Sequence, residues 1–167
     1  MTRVDLKTFT FSAGSKSRSI DNAVLGPLPK LLLYTMIKDT EFNGSVDTTP
    51  YKFRHYDISE LSLYVNGRRV PREGLSLDMD HKKTCHGYTT LFEESGIHHS
   101  NTGLQITNDI VITGFFMLVF DLTPDHGASE VHTSLPEDGN VRIELHFSRP
   151  LLRPLLACCT SNTTVLS

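Results

Sequence analysis

Asn140-Val141-Arg142-Ile143-Glu144-Leu145-His146-Phe147 alternates polar and apolar residues without a break. That period of two puts Val141, Ile143, Leu145 and Phe147 on one face of an extended strand. Asn140, Arg142, Glu144 and His146 fall on the other, the pattern of a sheet with one packed and one wet face. Leu61, Leu63 and Val65 repeat the alternation against Ser62 and Tyr64 and run into Asn66-Gly67. Asn-Gly is a strong two-residue hairpin signal, because both residues tolerate the positive φ of a type I′ turn. Arg68 to Arg72 should pair back along 61–65. Pro71 has no amide hydrogen, so the returning arm should lie at a sheet edge or end there.

Outward from these strands, Leu31 to Ile37 and Phe115 to Phe120 are continuous apolar runs bounded by Pro29 and Gly114, suited to strands covered on both faces. Arg3 to Phe11 is strand-like, but its apolar parity changes from Val4 and Leu6 to Phe9 and Phe11. A β-bulge or a change of partner would account for that. Ser19 to Leu25 and Leu152 to Thr160 are weaker strand candidates, and Pro154 should interrupt the ladder of the second. Between Thr84 and Ser95, the spacing of Tyr88, Leu91 and Phe92 against Glu93 and Glu94 predicts one short amphipathic helix. The expected fold is all-β: a jelly-roll sandwich of about eight strands in two sheets with one short inserted helix. Two packed sheets are required because a single open sheet would leave an apolar face in water. No repeat or linker divides the chain, so one domain is expected over 1–167.

The chain has 167 residues, 16 basic against 19 acidic side chains, and a net charge of −3. One ordinary core is within reach at this length. The near-neutral balance lacks the electrostatic footprint of a duplex-binding domain. Three cysteines, with Cys158 and Cys159 adjacent, make neither a disulfide framework nor a Cys-x-x-Cys metal pattern. The charged start Met1-Thr2-Arg3-Val4-Asp5 does not read as a secretory leader, and no apolar run reaches the length of a membrane helix. An intracellular compartment, cytoplasm or nucleus, is therefore expected. The sequons Asn43-Gly44-Ser45 and Asn162-Thr163-Thr164 read as turn chemistry.

Tests for catalytic or ligand chemistry point to a bland surface. His81, Cys85 and His86 stand close together, but zinc needs a further pair at recognised spacing, and a solvated loop is the stronger reading. His98 and His99 would point oppositely on a strand, and the chain contains no His-x-His of the cupin kind. Asp78 and Asp80 lack the glycine and distal glutamate of a calcium loop. Asp121-Leu122-Thr123-Pro124-Asp125 reads as a strand end followed by a turn, and Glu130 as an exposed carboxylate. Gly14, Lys16 and Arg18 within Ser12–Ser19 suit a solvated turn better than a phosphate loop. Cys158 and Cys159 lie in apolar surroundings without a base, so buried strand cysteines are expected. No Gly-x-Ser-x-Gly elbow, P-loop or dinucleotide fingerprint occurs. No catalytic, cofactor-binding or metal-binding residue is assigned, no cofactor is implied, and no enzyme is expected.

The ordered pieces carry more than any single one. Val4-Asp5-Leu6-Lys7-Thr8-Phe9-Thr10-Phe11-Ser12-Ala13-Gly14-Ser15 is followed by Leu25-Gly26-Pro27-Leu28-Pro29-Lys30, Phe42-Asn43-Gly44-Ser45 and Phe53-Arg54-His55-Tyr56-Asp57. Leu63-Tyr64-Val65-Asn66-Gly67, Phe120-Asp121-Leu122-Thr123-Pro124-Asp125 and Asn140-Val141-Arg142-Ile143-Glu144-Leu145 complete the series. Over about residues 3–150 this series resembles the C-terminal part of the major capsid protein of Polinton (Maverick) elements and the related adintoviruses. Residues 151–167 diverge, with Leu155 to Thr160 available as a last strand.

The resemblance implies a double jelly roll whose two sandwiches stand side by side, three copies forming a hexon-like capsomer. Met1 falls where the second roll would begin, so the chain would correspond to that roll alone. The function implied is structural, as part of a virus-like capsid or a partial copy from an integrated element. Expected partners are further copies of the chain, as a homotrimer if the first roll is supplied, and other capsid proteins. Sequence-specific nucleic-acid recognition and membrane insertion are not expected. Loops around 38–57 and 78–110 would supply intersubunit contacts. The alternative function is a host-recruited single jelly-roll binding module with no capsid role.

Overall fold

The structure, a computed structural model, describes residues 2–44, 46, 51–77, 115–123 and 137–164. Eight strands occur in them: β1 (Thr2–Phe11), β2 (Ser17–Pro27), β3 (Leu31–Lys38), β4 (Ile58–Val65), β5 (Arg68–Ser76), β6 (Met117–Asp121), β7 (Asp138–Phe147) and β8 (Leu155–Thr164). They form two four-stranded sheets ordered β1-β8-β3-β6 and β2-β7-β4-β5. Every neighbouring pair is antiparallel.

The order follows from one folding operation. β4 and β5 meet at Asn66-Gly67, where both residues have positive φ, 50° and 80°, as the I′ turn requires. Doubling the chain about that hairpin pairs β4 with β5, β3 with β6, β2 with β7 and β1 with β8. Wrapping the doubled ribbon adds the pairs β3·β8 and β4·β7 and separates the two sheets. This is the jelly roll expected from the sequence, with β5 at an edge as Pro71 requires. Residues 71–74 lie in a register shift opposite Ser62.

The core fills the space between the sheets. Leu32, Tyr34, Met36 and Leu118 from one sheet face Ile58, Leu61, Leu63, Val141, Ile143 and Leu145 from the other, all fully buried. The edge-on contact of Phe11 with Phe147, ring centroids 6.3 Å apart, closes one end.

Four details differ from the sequence reading. β1 pairs with β8 in unbroken register from Thr2↔Thr164 to Phe11↔Leu155, so its parity change is no bulge. Val4 and Leu6 lie on the outer face, 63% and 60% exposed, while Phe11 enters the core. The irregularity of this part of the chain falls in β2 instead, between Ile20 and Val24, where Asn22 has φ 53°. Pro154 stands immediately before β8 and leaves its ladder intact, so one of the two weaker strand candidates is a central strand between β1 and β3. Asn162-Thr163-Thr164 belongs to β8 rather than to a turn, whereas Asn43-Gly44 does end a helix. That helix, α1 (Asp39–Phe42), is one short turn after β3; the helix expected over 84–95 lies outside the described residues.

Candidate functional site

The two outer sheet faces have opposite character. On the β2-β7-β4-β5 sheet, Arg142 lies over the Tyr64 ring, 5.0 Å from its centroid. It also bonds Glu144 and approaches Asp21 at 3.7 Å. Arg69 bonds Glu60 and Ser62. Charges at alternate positions thus pair across the sheet and along β7, and this face is charged and ion-paired.

On the β1-β8-β3-β6 sheet the register builds rows of apolar residues instead. Leu6 stands opposite Thr160, and Thr160 opposite Leu33. Cys158 is opposite Thr35, and Thr35 opposite Met117. Leu156 faces Ile37. Ile37, Leu156 and Cys158 form a small cluster separate from the main core, against which Phe53 packs. Phe42, Tyr51 and Phe53 border these rows and leave a groove of about 320 Å³ between themselves, Leu6 and Leu33. Exposed Val4, Leu6, Phe42, Tyr51 and Phe115 extend the apolar surface. A sheet face of this kind gains free energy by being covered, at roughly 25 cal/mol per Å² removed from water, and such patches mark contact surfaces. Sequence reasoning missed it, although the parity break in β1 and the two-sided run of β3 were its signals.

The structure carries the expected cysteines on β8, both buried and unpaired. Cys159 enters the main core and Cys158 the outer cluster. Burial, aided by Cys158 and opposed by Lys7, pushes the Cys159 thiol up to about 12. Burial also raises Cys158, partly offset by a hydrogen bond with Thr35. Neither is a ready thiolate. Asp121 ends β6 as expected, its carboxylate accepting the Thr123 amide at 2.8 Å. In the Ser12–Ser19 turn the Gly14 amide donates to the Leu151 carbonyl at 2.6 Å and is not offered to an anion.

Among the described residues no group of three His, Cys, Asp or Glu side chains could hold a metal. No helix there is long and apolar enough to cross a membrane. His81, Cys85, His86, His98, His99, Asp78, Asp80, Asp125 and Glu130 lie outside the described residues.

No family model matches the chain. An uncharacterized protein of Caenorhabditis elegans is 24% identical over 150 residues, which are 86% of this chain and 35% of that protein. Among solved structures, a quasi-atomic model of the PBCV-1 virus capsid is similar with a TM-score of 0.34 and 9% identity, over 99% of this chain and 43% of the other. PBCV-1 VP54, fitted into a reconstruction of the virophage Sputnik, has the same TM-score and coverage at 10% identity. The chain thus spans about a third of its curated relative and less than half of either capsid chain. The assignment as a jelly roll rests on the strand order.

Proposed function

We propose that this chain is a structural building block, a capsid-like jelly roll that works by burying surface against neighbouring copies. The observation that carries this reading is the apolar outer face of the β1-β8-β3-β6 sheet, beside a charged, ion-paired face on the opposite sheet. The ordered motifs that resemble the Polinton and adintovirus capsid protein favour the second roll of a double jelly roll, in a homotrimeric capsomer within a virion. On this reading 1–167 is a single domain, and no residue of it is catalytic. Its partners are further copies, a first jelly roll that completes the capsomer, and other capsid proteins. A stable contact of this kind covers about 800 Å² per partner.

Size-exclusion chromatography with light scattering on the purified chain, alone and with a separately expressed first jelly roll, tests the proposal. The expected result is concentration-dependent association that Leu6→Lys weakens without lowering the melting temperature. A chain that stays monomeric at high concentration in both arms refutes assembly through this face and leaves the recruited binding module as the better reading.

A further inference from the structure

A second cavity, of about 370 Å³, opens where the end of β3, residues 54–57 and residues 149–155 meet. Its size falls within the range of small-molecule sites. Four cationic side chains line it: Lys38, Arg54, Arg149 and Arg153. Two carboxylates oppose them. Glu41, 3% exposed, sits 3.3 Å from Lys38 Nζ, and Asp57 is in the wall itself. His55 Nδ1 accepts the Asp57 amide at 3.0 Å and lies 3.7 Å from the Asp57 carboxylate. Arg149 is itself engaged, which leaves Lys38, Arg54 and Arg153 against these two carboxylates among the described residues, in a chain whose net charge is −3.

Arg54 Nε is buried without a hydrogen-bond partner among the described residues. The remaining wall is aliphatic: Leu151 and Leu155 are buried, and Leu152 stands at the rim 94% exposed.

The walls are fixed before any ligand arrives. Tyr56 and Asp57 are consecutive non-glycine residues at positive φ, 47° and 55°, a conformation kept only where surrounding contacts over-determine it. Here those contacts are the His55 carbonyl bonded to the Ile58 amide at 3.0 Å and the Asp57 carbonyl bonded to the Ser148 amide at 2.8 Å. Across the cavity, Leu151 is tied on both sides to the Gly14–Ser15 turn. Such preorganisation removes much of the ordering cost of binding.

We propose that this cavity binds a carboxylate carried on a short aliphatic stem, the carboxylate against Arg54 and Arg153 and the stem against Leu151, Leu152 and Leu155. The planar guanidinium fork matches a carboxylate, and a monoanion suits the modest excess of charge. The inference is independent of assembly through the sheet face, since the two surfaces share no residue.

Calorimetric titration of the full 167-residue chain tests it with octanoate, N-acetyl-leucine, octylammonium and inorganic phosphate. Saturable millimolar or tighter binding of octanoate or N-acetyl-leucine is expected, the stronger one telling an acyl chain from a peptide terminus as the source. Arg153→Gln, on an exposed side chain, should weaken it by roughly tenfold, the scale of one charge-assisted contact. Arg54→Gln should do the same, while Arg142→Gln on the far sheet should leave it unchanged. Failure of both carboxylates to bind overturns the proposal. So does equal binding of octylammonium or phosphate, or affinity insensitive to Arg153→Gln.

Discussion

The amide of Asn140 donates to the side-chain oxygen of Asn66 at 2.9 Å, across 74 residues of chain. The Asn66 amide returns the bond to the Asn140 carbonyl at 2.9 Å. The residue that turns the central hairpin thus also locks that hairpin to the start of β7. Asn66 is chosen twice: its left-handed φ suits the turn, and its side chain fixes where β7 lies.

Gly139→Ala should break this lock. A Cβ on residue 139 would lie 2.6 Å from the Asn66 side-chain oxygen and 2.8 Å from its nitrogen. The side chain would have to leave the exposed Asn140 amide, at a cost of about 0.5–1.5 kcal/mol. Urea denaturation should show the loss in Gly139→Ala. A further Asn66→Gly change should add little to it, because the contact is already gone.

Tyr34→Phe should stabilise the fold. Tyr34 is fully buried on β3, and its hydroxyl has no hydrogen-bond partner among the described residues. Burial, reinforced by Cys159 and Cys158, holds its ionisation well above the usual tyrosine range. Removing an unsatisfied hydroxyl while keeping the ring should gain about 1 kcal/mol, read as a higher midpoint in urea. An equal loss in that midpoint would mean that the hydroxyl is satisfied.

Alkaline pH should destabilise the protein. Cys159 moves from 9.0 to about 12 on folding, through burial first. Tyr56 moves from 10.0 to about 12, again mainly through burial, with Glu41 adding to it. Above pH 9 the unfolded chain releases these protons while the native chain keeps them. The stabilisation is thus fully present below pH 9 and is lost as pH rises from 9 to 12. Thermal midpoints at pH 8 and above should fall along that window, and Cys159→Ala should shorten the fall. In parallel, Ellman's reagent at pH 8 should react slowly with Cys158 and Cys159 in the native chain and rapidly after denaturation.

Val4→Lys should change association and not folding. Val4 is 63% exposed on an edge strand, so the folded chain should lose no more than about 0.5 kcal/mol. Light scattering should show weaker association at equal concentration, since a buried ammonium opposes coverage of the sheet face. Arg142→Ala, on the opposite face, should leave association as it was.

Local pattern alone fixed the strands and their pivot. Alternation over Asn140–Phe147 and Leu61–Val65 is a property of neighbouring residues, and Asn66-Gly67 dictates its turn without help from the rest of the chain. Eight strands closing into two sheets follow from the need to bury one face of each. What the sequence left open is what pairing decides. Leu6 and Thr160 share a row only because β1 meets β8 in one register, and a single-residue slip would turn Val4 and Leu6 inward.

Arg54 and Arg153 lie far apart in the chain, and the pairing of β4 with β7, continued by the Asp57–Ser148 bond, brings their segments to one cavity. The sequence by itself determined which segments extend and where the ribbon doubles back, because those follow from local periodicity and φ. Tertiary structure decided that one outer sheet face is apolar and that a basic pocket forms at the end, because both are built from residues juxtaposed by long-range pairing.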